Sequence, residues 1–186
     1  MLQSLSKWLL YKRMGWKKDV RFTLPNKAII CLAPHTSNWD FIIGQLYARA
    51  EGLHSNFLMK KEWFVWPLGW MFRKLGGIPV WRDKHTSMTD RLAEYAMKAD
   101  SFQLCVTPEG TRSLNAEWKK GFYYIALKAN IPILLYGLDY KQKTIVCNLS
   151  IMPSGDIEED MKTIKLYFKD FKGKHPELFT IGEIKE

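Results

Sequence analysis

Two clusters of residues have the types and spacing to do chemistry. The first is His35 with Asp40, in Pro34-His35-Thr36-Ser37-Asn38-Trp39-Asp40, directly after the apolar run 28–33. If a helix starts in this stretch, Asp40 falls in its first turn, where the helix dipole favours a carboxylate. An ionised aspartate there can accept a hydrogen bond from one imidazole nitrogen and fix the tautomer. The other nitrogen is then free to take a proton from a hydroxyl. The same residues also suit a plain helix cap, and this stretch alone leaves both readings open. The second cluster is Glu109-Gly110-Thr111-Arg112, at the end of another apolar run, 102–107. Gly110 permits a tight turn with exposed amides, and Arg112 has the planar fork that grips a phosphate or carboxylate. Lys119 and Lys120 precede Gly121 and a predicted helix, whose N-terminal amides favour anions. Arg82 closes a third patch, residues 76–82.

Other chemistries lack their residues. His35, His54, His85 and His175 form no metal-ligand spacing with Asp40. No G-x-S-x-G elbow supplies a serine nucleophile, and Ser37 and Ser113 lack that context.

The elements that must position these groups alternate. Strands are predicted at 28–33, 56–59, 102–107, 131–138 and 144–152. Helices are predicted at 39–50, from the capping pattern at Ser87 and Asp90 to about 98, at 121–129 and at 156–171. Strands alternating with helices predict a single α/β domain over 1–186, with a mixed, mostly parallel sheet flanked by helices and a core over 28–152. In such sheets functional groups gather beyond the carboxyl ends of the strands.

A chain of 186 residues, 47% hydrophobic and 25% charged, is long enough for one core and too apolar to be disordered. Its net charge of +9 points to an anionic partner. Residues 1–30 carry seven Lys or Arg against one acid, Asp19, so the excess is mostly N-terminal. A helix-turn-helix, RNP or zinc-finger pattern is absent, so no nucleic acid is expected. Cys31, Cys105 and Cys147 sit in apolar runs without C-x-x-C spacing and read as reduced, buried thiols of a cytosolic protein. No apolar run approaches the ~20 residues of a membrane-spanning helix, and no signal peptide is expected.

Residues 1–20 read as an amphipathic basic helix with Leu2, Leu5, Trp8 and Leu9 along one stripe. Packing on its own domain and lying on an anionic membrane explain that stripe equally well. The same pair of readings holds for Trp63, Trp66 and Trp70, flanked by lysines and Arg73, with Pro67 breaking the segment into two short helices.

The blocks His35-x-x-x-x-Asp40, Gly77-Ile-Pro-Val-Trp-Arg82, Pro108-Glu-Gly-Thr-Arg112 and Ile131-Pro132 resemble, in order and rough spacing, the four sequence blocks of the glycerolipid acyltransferases. That family includes the bacterial 1-acylglycerol-3-phosphate acyltransferases. The resemblance runs from about residue 28 to 137, and its first and third blocks are the specific ones. It implies a glycerol-3-phosphate acyltransferase-like fold, and His35 as a base oriented by Asp40. It also implies a phosphate pocket built from Arg82 and Arg112 and shaped by Gly110 and Thr111. Glu109 and Lys120 match further family positions on the substrate-binding side. The implied reaction moves an acyl group from an acyl carrier protein or coenzyme A thioester to a lysolipid, without a bound cofactor or metal. The default acceptor is 1-acylglycerol-3-phosphate, with lyso-ornithine lipid and other lysolipids as alternatives. The implied setting is cytoplasmic and peripheral, on the inner face of the cell membrane. A basic nucleic-acid-binding module and an acyl-thioester hydrolase are the competing classes.

Overall fold

The computed structural model describes residues 2–80 and 88–184, with side-chain detail at all of these except Lys60 and Val80. Seven strands form one sheet in the order β1-β7-β6-β2-β5-β3-β4. They are β1 Lys17–Val20, β2 Lys27–Ala33, β3 Asn56–Lys60, β4 Gly77–Val80, β5 Phe102–Val106, β6 Ile133–Asp139 and β7 Thr144–Ile151. Only the β6–β7 pairing is antiparallel, so the sheet is mixed and mostly parallel, as predicted. The helices are α1 Leu2–Lys7, α2 Asn38–Glu51, α3 Leu68–Lys74, α4 Met88–Lys98, α5 Gly121–Ala129 and α6 Ile157–Phe168.

Helices cover both faces. One core gathers Ile29, Cys31 and Leu104 of the sheet with α4, α5 and α6, through Leu92, Phe122, Ile164 and Phe168. The other gathers Ala28, Ile30 and Leu134 with Leu10 of the N-terminal segment and with Ile43 and Tyr47 of α2. Burial from both sides explains why β2 and β6 read as near-continuous apolar runs. The chain leaves β2 for β3 and β4 on one side, returns through β5, then crosses β2 to build β6 on the other. The carboxyl end of β2 is therefore where the winding reverses, the place where open α/β sheets form a crevice.

Two parts of the N-terminal region depart from the predicted single helix over 1–20. The helical segment ends at Arg13, its second half, Trp8–Arg13, being π-helical, and Lys17–Val20 is an edge strand beside β7. The sequence Lys17-Lys-Asp-Val20 carries no apolar alternation because an edge strand with charged side chains faces water. The packed face of the helix is also not the leucine stripe. Ser6 and Leu10 are buried, and the Gln3 side chain donates to the Ala50 carbonyl at 3.1 Å. Leu2 (72% exposed), Leu5 and Trp8 face outward. Leu9, the remaining member of the stripe, is half-buried, so the helix packs on its own domain through Ser6 and Leu10 and leaves Leu2, Leu5 and Trp8 uncovered.

The 61–74 segment also exposes its tryptophans. A 3₁₀ turn at Lys61–Trp63 and α3 flank Pro67, as predicted. Trp63, Trp66 (90% exposed) and Trp70 lie on the surface. The inward rings are Phe64 and Phe72, the latter 6.5 Å from Phe41 of α2. Among the described residues, no helix is long and apolar enough to cross a membrane.

Candidate functional site

Three neighbouring strands, β2, β5 and β6, deliver polar residues to one edge of the sheet. His35 follows β2, Glu109 follows β5 and Tyr140 follows β6.

The β2–α2 connection is a capping box. The Ser37 side chain caps α2, and Asp40 in the first turn answers it. Asp40 Oδ2 accepts from the amides of Thr36 at 2.9 Å and Ser37 at 2.8 Å, and Oδ1 accepts from the Tyr140 hydroxyl at 2.6 Å. Asp40 is only 2% exposed, so these three donors fix its plane inside the protein. His35 Nδ1 lies 3.2 Å from Asp40 Oδ2. That approach is a close contact without hydrogen-bond alignment, and the buried Nδ1 has no aligned partner among the described residues. The cap reading and the dyad reading of this stretch are therefore not alternatives: one carboxylate closes the cap and faces the imidazole.

Glu109 takes a different place from the substrate-facing one expected of it. It is 2% exposed, and its Oε1 accepts from the His35 backbone amide at 2.7 Å. Burial, joined by the nearby charge of Asp40, pushes its carboxyl up to about 7, against the lowering effect of the His35 amide. Glu109 thus braces the main chain of His35 from beneath.

Beyond it, Gly110 adopts a left-handed φ of 67°, and its amide donates to the Thr107 carbonyl at 3.1 Å. The Asn115 side-chain amide donates to the carbonyls of Glu109 at 2.8 Å and Glu117 at 3.0 Å, which pins this loop. Thr111 Oγ1 accepts from the Ser113 amide. Arg112 is exposed and has no ion-pair partner among the described residues, so its guanidinium is available at this edge. The Lys120 ammonium pairs with Glu158 of α6 at 2.5 Å. Arg82 lies outside the described residues, two positions beyond β4, whose carboxyl end points to the same edge as that of β5.

Further supports of the site carry no signal in the sequence. Tyr140 is one, and a lone tyrosine at a strand end carries no signal of its own. The others belong to the C-terminal segment 171–182, which straps the site. Thr36 Oγ1 accepts from the His175 amide at 3.2 Å, and Gly173 packs so tightly that a Cβ there would stand 2.7 Å from Thr36 Oγ1. Lys174 lies over the Trp39 ring at 4.6 Å. Beside Tyr140 opens a hollow lined by Arg13, Trp16, Trp39, Lys143 and Lys174, with no carboxylate in its lining. Among the described residues no group of three or more His, Cys, Asp or Glu could hold a metal ion.

A family model described as Acyltransferase matches residues 17–136, well over half of the chain. In fold the chain is similar to the crystal structure of the 1-acyl-sn-glycerophosphate (LPA) acyltransferase PlsC from Thermotoga maritima. That similarity has a TM-score of 0.62 at 19% sequence identity and covers 90% of this chain and 75% of that one. A search of curated protein sequences gave no significant match.

Proposed function

The chain belongs to the acyltransferase family, and on that premise we propose that it moves a fatty acyl group from an acyl thioester to the hydroxyl of a lysolipid. The observation that carries this reading is the placement of His35 against the buried, three-donor Asp40 at the carboxyl edge of β2. Asp40 faces Nδ1, which leaves Nε2 as the proton acceptor.

In this mechanism His35 Nε2 takes the proton from the acceptor hydroxyl as its oxygen attacks the thioester carbonyl. The tetrahedral intermediate collapses with cleavage of the carbon–sulfur bond, and the imidazolium can return its proton to the departing thiolate. Asp40 holds the ring and offsets the positive charge that develops on it. Attack is direct, with no acyl-enzyme step, because no activated nucleophile stands in the first block or the third.

The acceptor is most simply 1-acylglycerol-3-phosphate. Arg112, exposed and without an ion-pair partner among the described residues, has the bidentate geometry a phosphate needs, and the family resemblance adds Arg82, which lies outside the described residues. The solved structure of similar fold carries the same substrate in its name. The donor is an acyl carrier protein or coenzyme A thioester.

Both substrates' acyl chains call for work at a bilayer. The outward Leu2, Leu5 and Trp8 of the N-terminal helix and the outward Trp63, Trp66 and Trp70 near α3 suit the headgroup boundary of a membrane. Arg13, Lys143 and Lys174, around the hollow beside Tyr140, add positive charge, which favours an anionic surface and a peripheral location.

The deciding experiment incubates purified protein with an acyl-coenzyme A or acyl carrier protein thioester and a panel of lysolipids, with products read by mass. A diacyl product that requires the added lysolipid supports acyl transfer. Thioester cleavage without any acceptor would support a hydrolase instead.

A further inference from the structure

Tyr140 lies beyond the stretch that the family model matches, and nothing in the sequence blocks points to it. Its hydroxyl is the one donor to Asp40 Oδ1 among the described residues, at 2.6 Å, while the two loop amides share Oδ2. We propose that Tyr140 is a positioning residue for the reaction: it sets the plane of the Asp40 carboxylate, and through it the orientation of the His35 ring. This rests on the reading of His35 as the base.

Tyr140 is held on several sides. Its backbone amide donates to the Lys172 carbonyl at 2.8 Å, which ties it to the C-terminal strap. Its ring stands edge-on to Trp16, centroids 5.1 Å apart at 86°. Trp16 is itself buried, with its amide donating to the Leu10 carbonyl of the N-terminal helical segment. The tyrosine therefore has a fixed ring and one direction in which to point its hydroxyl. Burial and the Asp40 charge raise its phenol well above the ordinary tyrosine value, so it stays a donor throughout the working pH range.

The geometry matters because Asp40 cannot be fixed by its cap alone. Two amides on one oxygen leave the carboxylate free to twist about that oxygen. A third donor on the other oxygen removes that freedom. Since His35 Nδ1 approaches Oδ2 at 3.2 Å without alignment, a small twist of the carboxylate decides whether the ring can be gripped when Nε2 takes up a proton. A tyrosine just after β6 thus coordinates the β2 loop with the strand on its other side, as Glu109 does from the loop after β5.

The conservative variant Tyr140→Phe keeps the ring against Trp16 and removes only the hydroxyl. With a long-chain acyl-coenzyme A and 1-acylglycerol-3-phosphate as substrates, kcat should fall roughly tenfold, a fraction of what a general base contributes. KM for both substrates should stay unchanged. In an Asp40→Asn background the same substitution should cost little, because the two residues act as one unit. Independently of activity, the His35 ring-proton NMR resonances, assigned by their loss in His35→Gln, should shift in Tyr140→Phe and in Asp40→Asn. Undiminished kcat in folded Tyr140→Phe, an equal loss in both backgrounds, or unshifted His35 resonances would each overturn the proposal. If the wild type transfers no acyl group between these substrates, the functional reading fails by itself, and the resonances alone decide the positioning role.

Discussion

Glu109 and His35 are joined across the crevice by a 2.7 Å hydrogen bond in which the glutamate carboxylate accepts from the histidine's backbone amide. The bond links the loop after β5 to the loop after β2, so the two sequence blocks that carry the family resemblance are one mechanical unit. Its cost is a buried carboxyl whose titration is pushed up to about 7 from an ordinary value near 4.5. Between those two values the folded protein binds more protons than the unfolded chain, so this group's contribution to stability falls as pH rises. Glu109→Gln keeps an acceptor for the His35 amide and removes the charge. It should be more stable than wild type at pH 8 by on the order of 2 kcal/mol, with little difference at pH 4. Denaturant midpoints at the two pH values check this, and an equal gap at both would show that the charge is not the cause.

His35→Ala removes the proposed base while leaving Glu109 its backbone partner. Acyl transfer should drop roughly 10²–10⁴-fold with circular dichroism and melting temperature near wild type. A folded variant with near-normal turnover would reassign the base.

Arg112→Ala should act on the acceptor. Losing a charge-assisted contact of about 1.5–3 kcal/mol corresponds to roughly a ten- to hundredfold rise in acceptor KM, with donor KM unmoved. Steady-state kinetics with the acceptor varied at saturating donor measures it; unchanged KM and turnover would put the phosphate elsewhere. Lys120→Ala, whose partner is Glu158 of α6, should leave acceptor KM as it is.

Gly173→Ala tests the C-terminal strap. The new methyl would stand 2.7 Å from Thr36 Oγ1 and 3.1 Å from Pro34 Cβ, so either the strap or the loop carrying His35 must give way. A loss of about 1–3 kcal/mol is expected from overpacking, together with lower kcat because Thr36 supplies an amide to Asp40. Thermal melts and kinetics on the same sample read both; wild-type values in each would mean that the strap only rests on the site.

Leu5→Ser with Trp8→Ser tests the outward stripe. Both side chains are exposed, so stability should change by no more than about 0.5 kcal/mol. Co-sedimentation with anionic vesicles should weaken roughly tenfold, and wild-type binding should itself decline with salt. Equal sedimentation of variant and wild type would remove this helix from the membrane contact.

Some of this was legible before any fold. The buried strands β2 and β6 announced themselves because a strand covered on both faces must be apolar throughout. Helix α5 was predicted to its observed ends, since Gly121 and Asn130 punctuate an apolar run. His35, Asp40 and Arg112 stood out as candidates because their spacing from strand ends is local, and the chain order of the blocks survives in one dimension. Edge strand β1 was not, because a strand facing water keeps no hydrophobic period. The direction of the N-terminal helix was not either: periodicity finds a stripe, but only packing shows that Ser6 and Leu10 turn inward instead of Leu2 and Leu5. Glu109 as a brace, Tyr140 as the third donor to Asp40 and the strap at Thr36 join residues 74, 100 and 139 positions apart. Contacts of that range depend on which strands become neighbours, and strand order is a property of the folded sheet. The sequence by itself determined which groups could do the chemistry; the tertiary structure decided which of them face one another, because only there do the ends of β2, β5 and β6 meet.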